Sequence, residues 1–288
     1  MISIDSKTKI VGLLGYPLGH SLSPVMQNTA FSDKNINMVY IPIEVKPNNF
    51  DTVVKAISKM NFAGFNITKP FKIEIIKHID ELDESAKCIG AVNTVVIKNE
   101  RFIGYNTDGI GFLRSLEEGL GSNIEGKNIF VLGSGGAARA ICTVLAFHKA
   151  KKVCICNRTY EKAFALSTDI NSYIPYSTFA IPMEYNEMKK SMQDVDVFIN
   201  TTNVGIFPEA HEMPIDSSLL NNKLTVCDVI YNPRKTKLLL EAEKLGCKTI
   251  SGLGMLVYQG AEAFKLWTGI EAPVELMFKV VSEGLGFK

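Results

Sequence analysis

The chain has 288 residues, more than a single hydrophobic core usually organises, so two domains are expected. A hydrophobic share of 46% against 21% charged residues excludes a chain disordered throughout. A formal charge of +1 leaves no general field to hold nucleic acid or an anionic membrane, so any anion must be recognised by local groups.

Taken in chain order, apolar runs and breakers alternate from the start. Residues 10–14 read as a strand, and Ser23 with Pro24 opens a helix. Residues 38–45 read as the next strand, 50–60 as an amphipathic helix and 62–68 as a third strand. The pattern predicts a helix over 70–79 and an antiparallel hairpin over 94–105 that turns at Asn99 and Glu100. A first α/β unit therefore fills residues 1–107. A helix over 109–120 and a polar, glycine-bearing connection over 121–127 lead into a second unit, which opens with a strand, glycine turn, helix and strand over 128–159. It continues with a helix over 160–171, strands over 195–201 and 224–231, a helix over 237–245 and a short strand over 248–250. Its sheet is expected to be parallel and covered on both faces. Two amphipathic helices, 255–267 and 273–284, close the chain, and their pattern alone lets them pack on either unit.

The segment from Asn128 to Thr159 is the most informative. Ile129, Phe130, Val131 and Leu132 form an apolar run that stops at Gly133, and Ser134, Gly135, Gly136, Ala137 and Ala138, ahead of Arg139, are too small to block a phosphate. Gly133 permits the reversal, Gly135 admits close approach, and Ala138 stands where a small residue packs helix against strand. The helix opening near Gly136 aims free N–H groups at a pyrophosphate. The second strand ends in Asn157, Arg158 and Thr159, with Lys162 beyond, where a cofactor with free ribose hydroxyls would need an acidic residue. That cationic set suits a 2′-phosphate. Charge-assisted bonds contribute about 1.5–3 kcal/mol each, which predicts NADPH over NADH by roughly a hundredfold.

Cys88, Cys142, Cys154, Cys156, Cys227 and Cys247 lack the paired spacing of a zinc site, and His20, His78, His148 and His211 show no ligand spacing, so no metal is expected. No apolar stretch is long enough to span a bilayer and nothing at the start reads as a secretory leader, so the expectation is a cytoplasmic protein. Exposed apolar positions on the tail helices suit a homodimer or a monomer's own core.

Three polar clusters interrupt segments that otherwise read as buried. In GYPLGHSLSP, Ser21 and Ser23 stand at a helix start where a carboxylate could be held, and Ser23 could equally serve as a cap. In GFNITKPFK, a strand closes on Asn66 and Thr68, and Lys72 is placed in the first turn of the helix expected there. A cation against that dipole would have its pKa lowered, the direction an acid/base lysine needs. In GAVNTVV and GYNTDGIG, Asn93 and Asp108 lie at the two ends of the hairpin, which a pleated hairpin brings together. Capping is the other reading of Asp108.

HSLSP, GFNITKPFK, GAVNT, YNTDGIG, GSGGAAR, NRT, DVIYNPRKT and GLGMLVYQG, in that order, resemble the motif series of the shikimate dehydrogenase family, from about Gly12 to Trp267. The resemblance implies NADPH-dependent, reversible reduction of 3-dehydroshikimate to shikimate in aromatic amino acid biosynthesis. It also implies an α/β fold of two domains: a substrate domain over 1–107 plus 252–288, completed by the C-terminal helices, and a Rossmann-type NADP-binding domain over 108–251. By the same resemblance Ser21 and Ser23 hold the substrate carboxylate with Thr68 in support, and Lys72 and Asp108 form the catalytic pair. Asn93, Asp108 and Gln259 bind the ring hydroxyls, and Tyr231 lies close to the substrate. Residues 134–139 match the pyrophosphate loop, Asn157, Arg158, Thr159 and Lys162 the adenosine phosphate contacts, and Thr201, Val229, Gly252 and Met255 the nicotinamide surroundings.

Two positions depart from the commonest family pattern. Ser134 replaces an alanine, and Gln27 stands where many members carry histidine, as in the related quinate/shikimate dehydrogenases that use NAD or NADP. That paralogue reading stays open at this point. A rival of another class is a non-catalytic NADPH-sensing regulator, which would not need Lys72, Asn93 and Asp108 together.

Overall fold

The computed structural model describes residues 4–19 and 21–287; His20, one of the four histidines above, lies outside the described residues. The first elements are β1 (Lys9–Gly15), α1 (Ser23–Asp33), β2 (Met38–Glu44), α2 (Phe50–Ile57) and β3 (Phe62–Ile67). They are followed by β4 (Glu81–Leu82), α3 (Glu84–Ile89), β5 (Thr94–Lys98), β6 (Arg101–Tyr105) and α4 (Thr107–Leu120). The strands form one mixed sheet in the order β2-β1-β3-β5-β6-β4. β1 lies parallel to β2 and to β3, while β5 runs antiparallel to both β3 and β6. β1 is buried from Val11 onward, as expected of a strand covered on both faces. α2 lays Phe50, Val54 and Ile57 against the sheet, a helical stripe at i, i+4 and i+7. The β5–β6 hairpin turns where expected, with Asn99 and Glu100 both at positive φ, as a two-residue turn matched to strand twist requires.

The helix expected over 70–79 does not form. A 3₁₀ helix spans only Glu74–His78, and Lys72 lies in the turn ahead of it. The Lys72 carbonyl accepts from the Val92 N–H at 2.8 Å, so it is committed to a neighbouring segment and not to an amide one turn further on. Phe71 and Ile75 are still fully buried, and the Phe71 ring stacks on Phe50 at a centroid distance of 4.0 Å. The apolar spacing that suggested a helix is therefore spent on the core. The helix-dipole argument for Lys72 has no helix to act through.

The second set of elements is β7 (Asn128–Leu132), α5 (Gly136–Phe147), β8 (Lys152–Asn157), α6 (Tyr160–Tyr173) and β9 (Thr178–Pro182). Then come α7 (Tyr185–Ser191), β10 (Val197–Asn200), β11 (Thr225–Asp228), α8 (Lys237–Lys244) and β12 (Lys248–Ile250). Every pairing in the order β12-β11-β10-β7-β8-β9 is parallel. The chain winds outward from β7 through β8 and β9, then returns to β10 on β7's other side. This reversal of strand order at β7 is the switch point at which ligands bind in open α/β sheets. Phe130 and Phe198 stack at 5.7 Å across the adjacent strands within a core that includes Leu132, Val226 and Leu238.

α9 (Leu253–Thr268) and α10 (Val274–Gly284) end the chain. The molecule divides into two compact units, one of residues 1–107 with 257–288 and another of residues 108–256. In the first unit the indole N–H of Trp267 donates to the Val95 carbonyl at 3.0 Å, and a Cβ on Gly64 would collide with both groups. Glycine in β3 thus makes room for the α9 anchor. Among the described residues no helix is long and apolar enough to cross a membrane.

Candidate functional site

In the first unit the polar residues that seemed out of place form one buried network. The Tyr40 hydroxyl donates to Asn66 Oδ1 at 2.8 Å. Burial pushes the Tyr40 phenol far above its ordinary range, so it serves as a neutral donor. Asn66 Nδ2 donates to the Asn93 carbonyl at 3.0 Å and to Thr94 Oγ1 at 2.9 Å. Asn93 Oδ1 accepts from the Thr107 N–H at 2.7 Å, and Asn93 Nδ2 donates to Thr107 Oγ1 at 3.0 Å. Tyr40, on β2, is linked in this way to Asn93 through the side chain of Asn66 on β3. Such networks fix geometry only when every member is satisfied.

Other expected residues gather around the same strand ends. The Thr68 N–H donates to the Leu14 carbonyl at 2.9 Å, and the backbone of Lys72 is tied to Val92, next to Asn93. Ser21 Oγ accepts the Ser23 N–H at 3.3 Å, while the position before the helix is Leu22, so Ser23 does not act as the cap. Gln259 lies on α9 beside Gly260, whose carbonyl accepts from the Gln27 side chain at 2.8 Å. Tyr40, Thr94 and Thr107 have no role in the sequence reading. Their signal was there as hydroxyls within buried segments, but partners 13 to 28 residues away cannot be read from spacing.

In the second unit Gly133 ends β7 with φ of +114°, and any Cβ there would strike Thr201 Oγ1. Thr201 in turn donates to the Leu132 carbonyl at 2.7 Å, so the ends of β7 and β10 are in contact. Gly135 and Gly136 are exposed, and an added Cβ on either would meet nothing within 4 Å. Gly135 precedes α5 with no side-chain cap, leaving the first N–H groups of a 12-residue helix to an outside acceptor. Open space, bare amides and a glycine reversal fit the pyrophosphate of a dinucleotide. Ser134 and Ala137 flank that opening half-buried, and Ala138 is buried against the sheet.

At the end of β8, Asn157 Nδ2 donates to the Thr159 carbonyl at 2.9 Å, ordering a turn from which Arg158, Thr159 and Lys162 are all exposed. Arg139 instead pairs with Asp169 of α6 at 2.8 Å, so its guanidinium is engaged away from the turn. Val229 follows β11, and Gly252 lies so close that a Cβ would run into the Val229 carbonyl. Met255 is half-buried on α9, Tyr231 is exposed beyond β11, and Asp108 lies half-buried in the first turn of α4. One carboxylate was missed. Asp228, at the end of β11, is 1% exposed and accepts from Asn200, Ile230 and Thr236. Among the described residues one group of potential metal ligands comes together, Glu209, His211 and Glu212, all exposed.

A mixed α/β unit with a polar network at its strand ends, joined in one chain to a parallel sheet with a glycine reversal at its switch point, defines a dinucleotide-binding protein of the two-unit dehydrogenase class. The chain matches the family model described as the shikimate dehydrogenase substrate binding domain over residues 13–95. It matches that of shikimate/quinate 5-dehydrogenase over 115–235 and that of the shikimate 5′-dehydrogenase C-terminal domain over 252–281. It is 46% identical over 275 residues to the shikimate dehydrogenase (NADP(+)) of Methanocaldococcus jannaschii, covering 95% of this chain and 96% of that one. A crystal structure of a shikimate dehydrogenase in complex with NADP+ superposes with a TM-score of 0.91 at 42% identity, covering 98% of each chain. The Listeria monocytogenes shikimate 5-dehydrogenase, solved with shikimate and NAD, gives 0.92 at 38% identity, covering 96% of this chain and 98% of that one. This chain belongs to the shikimate dehydrogenase family.

Proposed function

We propose that the protein is an NADP-dependent shikimate dehydrogenase, catalysing the reversible reduction of 3-dehydroshikimate to shikimate in the biosynthesis of aromatic compounds. The observation that carries this reading is the near full-length identity of 46% to an enzyme of that name. The glycine reversal at Gly133 and the cationic turn at Arg158 and Lys162 support the choice of NADP. Substrate binding is assigned to the first unit and NADP binding to the second. Six free cysteines, five of them buried, suit the reducing cytoplasm.

When bound, NADPH supplies the hydride. Lys72 holds the proton passed to the substrate's carbonyl oxygen, and Asp108 is the carboxylate of the pair; both roles rest on the motif resemblance. An ammonium facing an oxygen that gains negative charge binds the transition state more tightly than the ground state, which raises turnover. Ser21 and Ser23 hold the carboxylate, with Thr68, and Asn93 and Gln259 hold the ring hydroxyls. The buried network behind Asn93 keeps that group in register. On the cofactor side, Gly135, Gly136 and the start of α5 receive the pyrophosphate, and Thr201, Val229, Gly252 and Met255 surround the nicotinamide.

The test is absorbance at 340 nm with shikimate or quinate, each with NADP+ or NAD+. Shikimate with NADP+ is expected to be the fastest pair. Preference for quinate with NAD+ would replace the proposal with the paralogue, and no change in any cell would favour a non-catalytic NADPH sensor.

A further inference from the structure

β10 and β11 end side by side, and the loops that follow carry Thr201 and Val229. Asp228 lies between those loops. Its Oδ1 accepts from Asn200 Nδ2 at 3.1 Å and from the Ile230 N–H at 3.1 Å, and its Oδ2 accepts from Thr236 Oγ1 at 2.7 Å. Asn200, itself fully buried, passes the constraint on. Its Oδ1 accepts the Thr202 N–H at 3.1 Å and the Thr202 hydroxyl at 2.7 Å, while its carbonyl accepts the Val229 N–H at 3.0 Å. Thr236 also caps α8 by accepting the Leu239 N–H at 3.4 Å. One carboxylate therefore joins the start of the β10 loop, the start of the β11 loop and the first turn of α8.

Burial acts against this carboxyl's charge and pushes its pKa up to about 6. A neutral residue at that position would spare the fold this cost, so a buried, ionisable group with three converging donors calls for a functional reason. We propose that Asp228 is a positioning residue that holds the loops after β10 and β11 in the arrangement that receives the nicotinamide half of the cofactor. This rests on the nicotinamide reading of Thr201 and Val229 given above.

The test uses the full chain, freed of cofactor, as wild type, Asp228→Ala and Asp228→Asn. Binding of NADP+ and of 2′-phospho-ADP, which lacks the nicotinamide half, is measured by calorimetry, and amide hydrogen exchange is followed on the cofactor-free protein. Asp228→Ala is expected to weaken NADP+ binding about tenfold, the equivalent of one lost anchoring hydrogen bond, and to change 2′-phospho-ADP by less than about twofold. Exchange should quicken over residues 201–207 and 229–236 while β8 keeps its protection. Asp228→Asn retains an acceptor for Asn200 and Ile230 and can donate to the Thr236 hydroxyl, so it should restore most of the affinity. Should Asp228→Ala fail to fold, Thr236→Val removes the Oδ2 donor and is expected to give the same split between the ligands. Equal loss of both ligands, or NADP+ affinity that stays at the wild-type value, overturns the proposal. Failure of the underlying reading shows separately, as a wild-type chain that does not oxidise shikimate with NADP+, and it takes this proposal with it.

Discussion

The hydroxyl of Tyr40 donates to Asn66 Oδ1 at 2.8 Å inside the first sheet, and the other end of that amide grips the Asn93 carbonyl and Thr94 Oγ1. The pair thus sets the rotamer of an amide whose donors reach the strand of a proposed substrate ligand. Tyr40 is itself held by Asn28, which accepts the Tyr40 N–H and donates to its carbonyl, both at 2.8 Å, closing the exposed edge of β2.

Tyr40→Phe leaves Asn66 Oδ1 buried without its donor, at a cost of about 1–3 kcal/mol in stability. Because the loosened amide also supports Asn93, the KM for shikimate should rise several-fold while the Kd for NADP+ stays unchanged. Steady-state kinetics and calorimetry measure the two effects. A lower Tm with an unaltered KM would confine Tyr40 to the fold.

Lys72→Ala should lower the turnover number by about 10²–10⁴, the usual contribution of a positioned acid/base group. Single-turnover kinetics at saturating shikimate separate chemistry from binding. Turnover that survives behind a raised KM would make Lys72 a binding group and remove it from the chemistry.

Legibility in the sequence tracked the range of the interactions involved. The Rossmann-type strand and turn at 128–139 were readable because an apolar run, a glycine reversal and a small-residue helix start are local, and the hairpin at Asn99 and Glu100 for the same reason. The segment around Lys72 was misread because Phe71 and Ile75 are spaced as on a helix, while the Lys72 carbonyl that would have continued one is taken by Val92. β9 and α7 escaped because five and seven residues are too short to establish a period, and β9 ends on Pro182. In the site, each motif was visible, but the Tyr40–Asn66–Asn93 connection and the Asp228 cluster depend on strand order and register, which no spacing along the chain encodes.

Arg158 is exposed at the end of β8, in a turn ordered by Asn157. If it holds the 2′-phosphate, Arg158→Gln should raise the Kd for NADP+ about tenfold or more, the range for losing a charge-assisted bond, without altering that for NAD+. Pairing it with Lys162→Gln should bring the two cofactors to similar affinity. Parallel losses for NADP+ and NAD+ would show that the turn orders the site without reading the phosphate.

Asp228 carries a stability cost with a definite pH signature. Its folded pKa, raised by burial to about 6, stands above the ordinary 3.8. Between those values the unfolded chain holds fewer protons than the folded one, so this group's contribution is most favourable below about pH 4 and is lost as pH rises through about 6. At neutral pH the ionised carboxylate therefore weighs on the fold, by at most about 3 kcal/mol for a shift of this size. Asp228→Asn should consequently come closest to the wild type in Tm near pH 4 and exceed it at pH 8, provided the amide keeps the contacts to Asn200, Ile230 and Thr236. Thermal melts at the two pH values, without cofactor, measure the difference. A variant less stable than wild type at pH 8 would mean that the hydrogen bonds of the charged form outweigh its desolvation, and that the buried charge supports the fold it occupies.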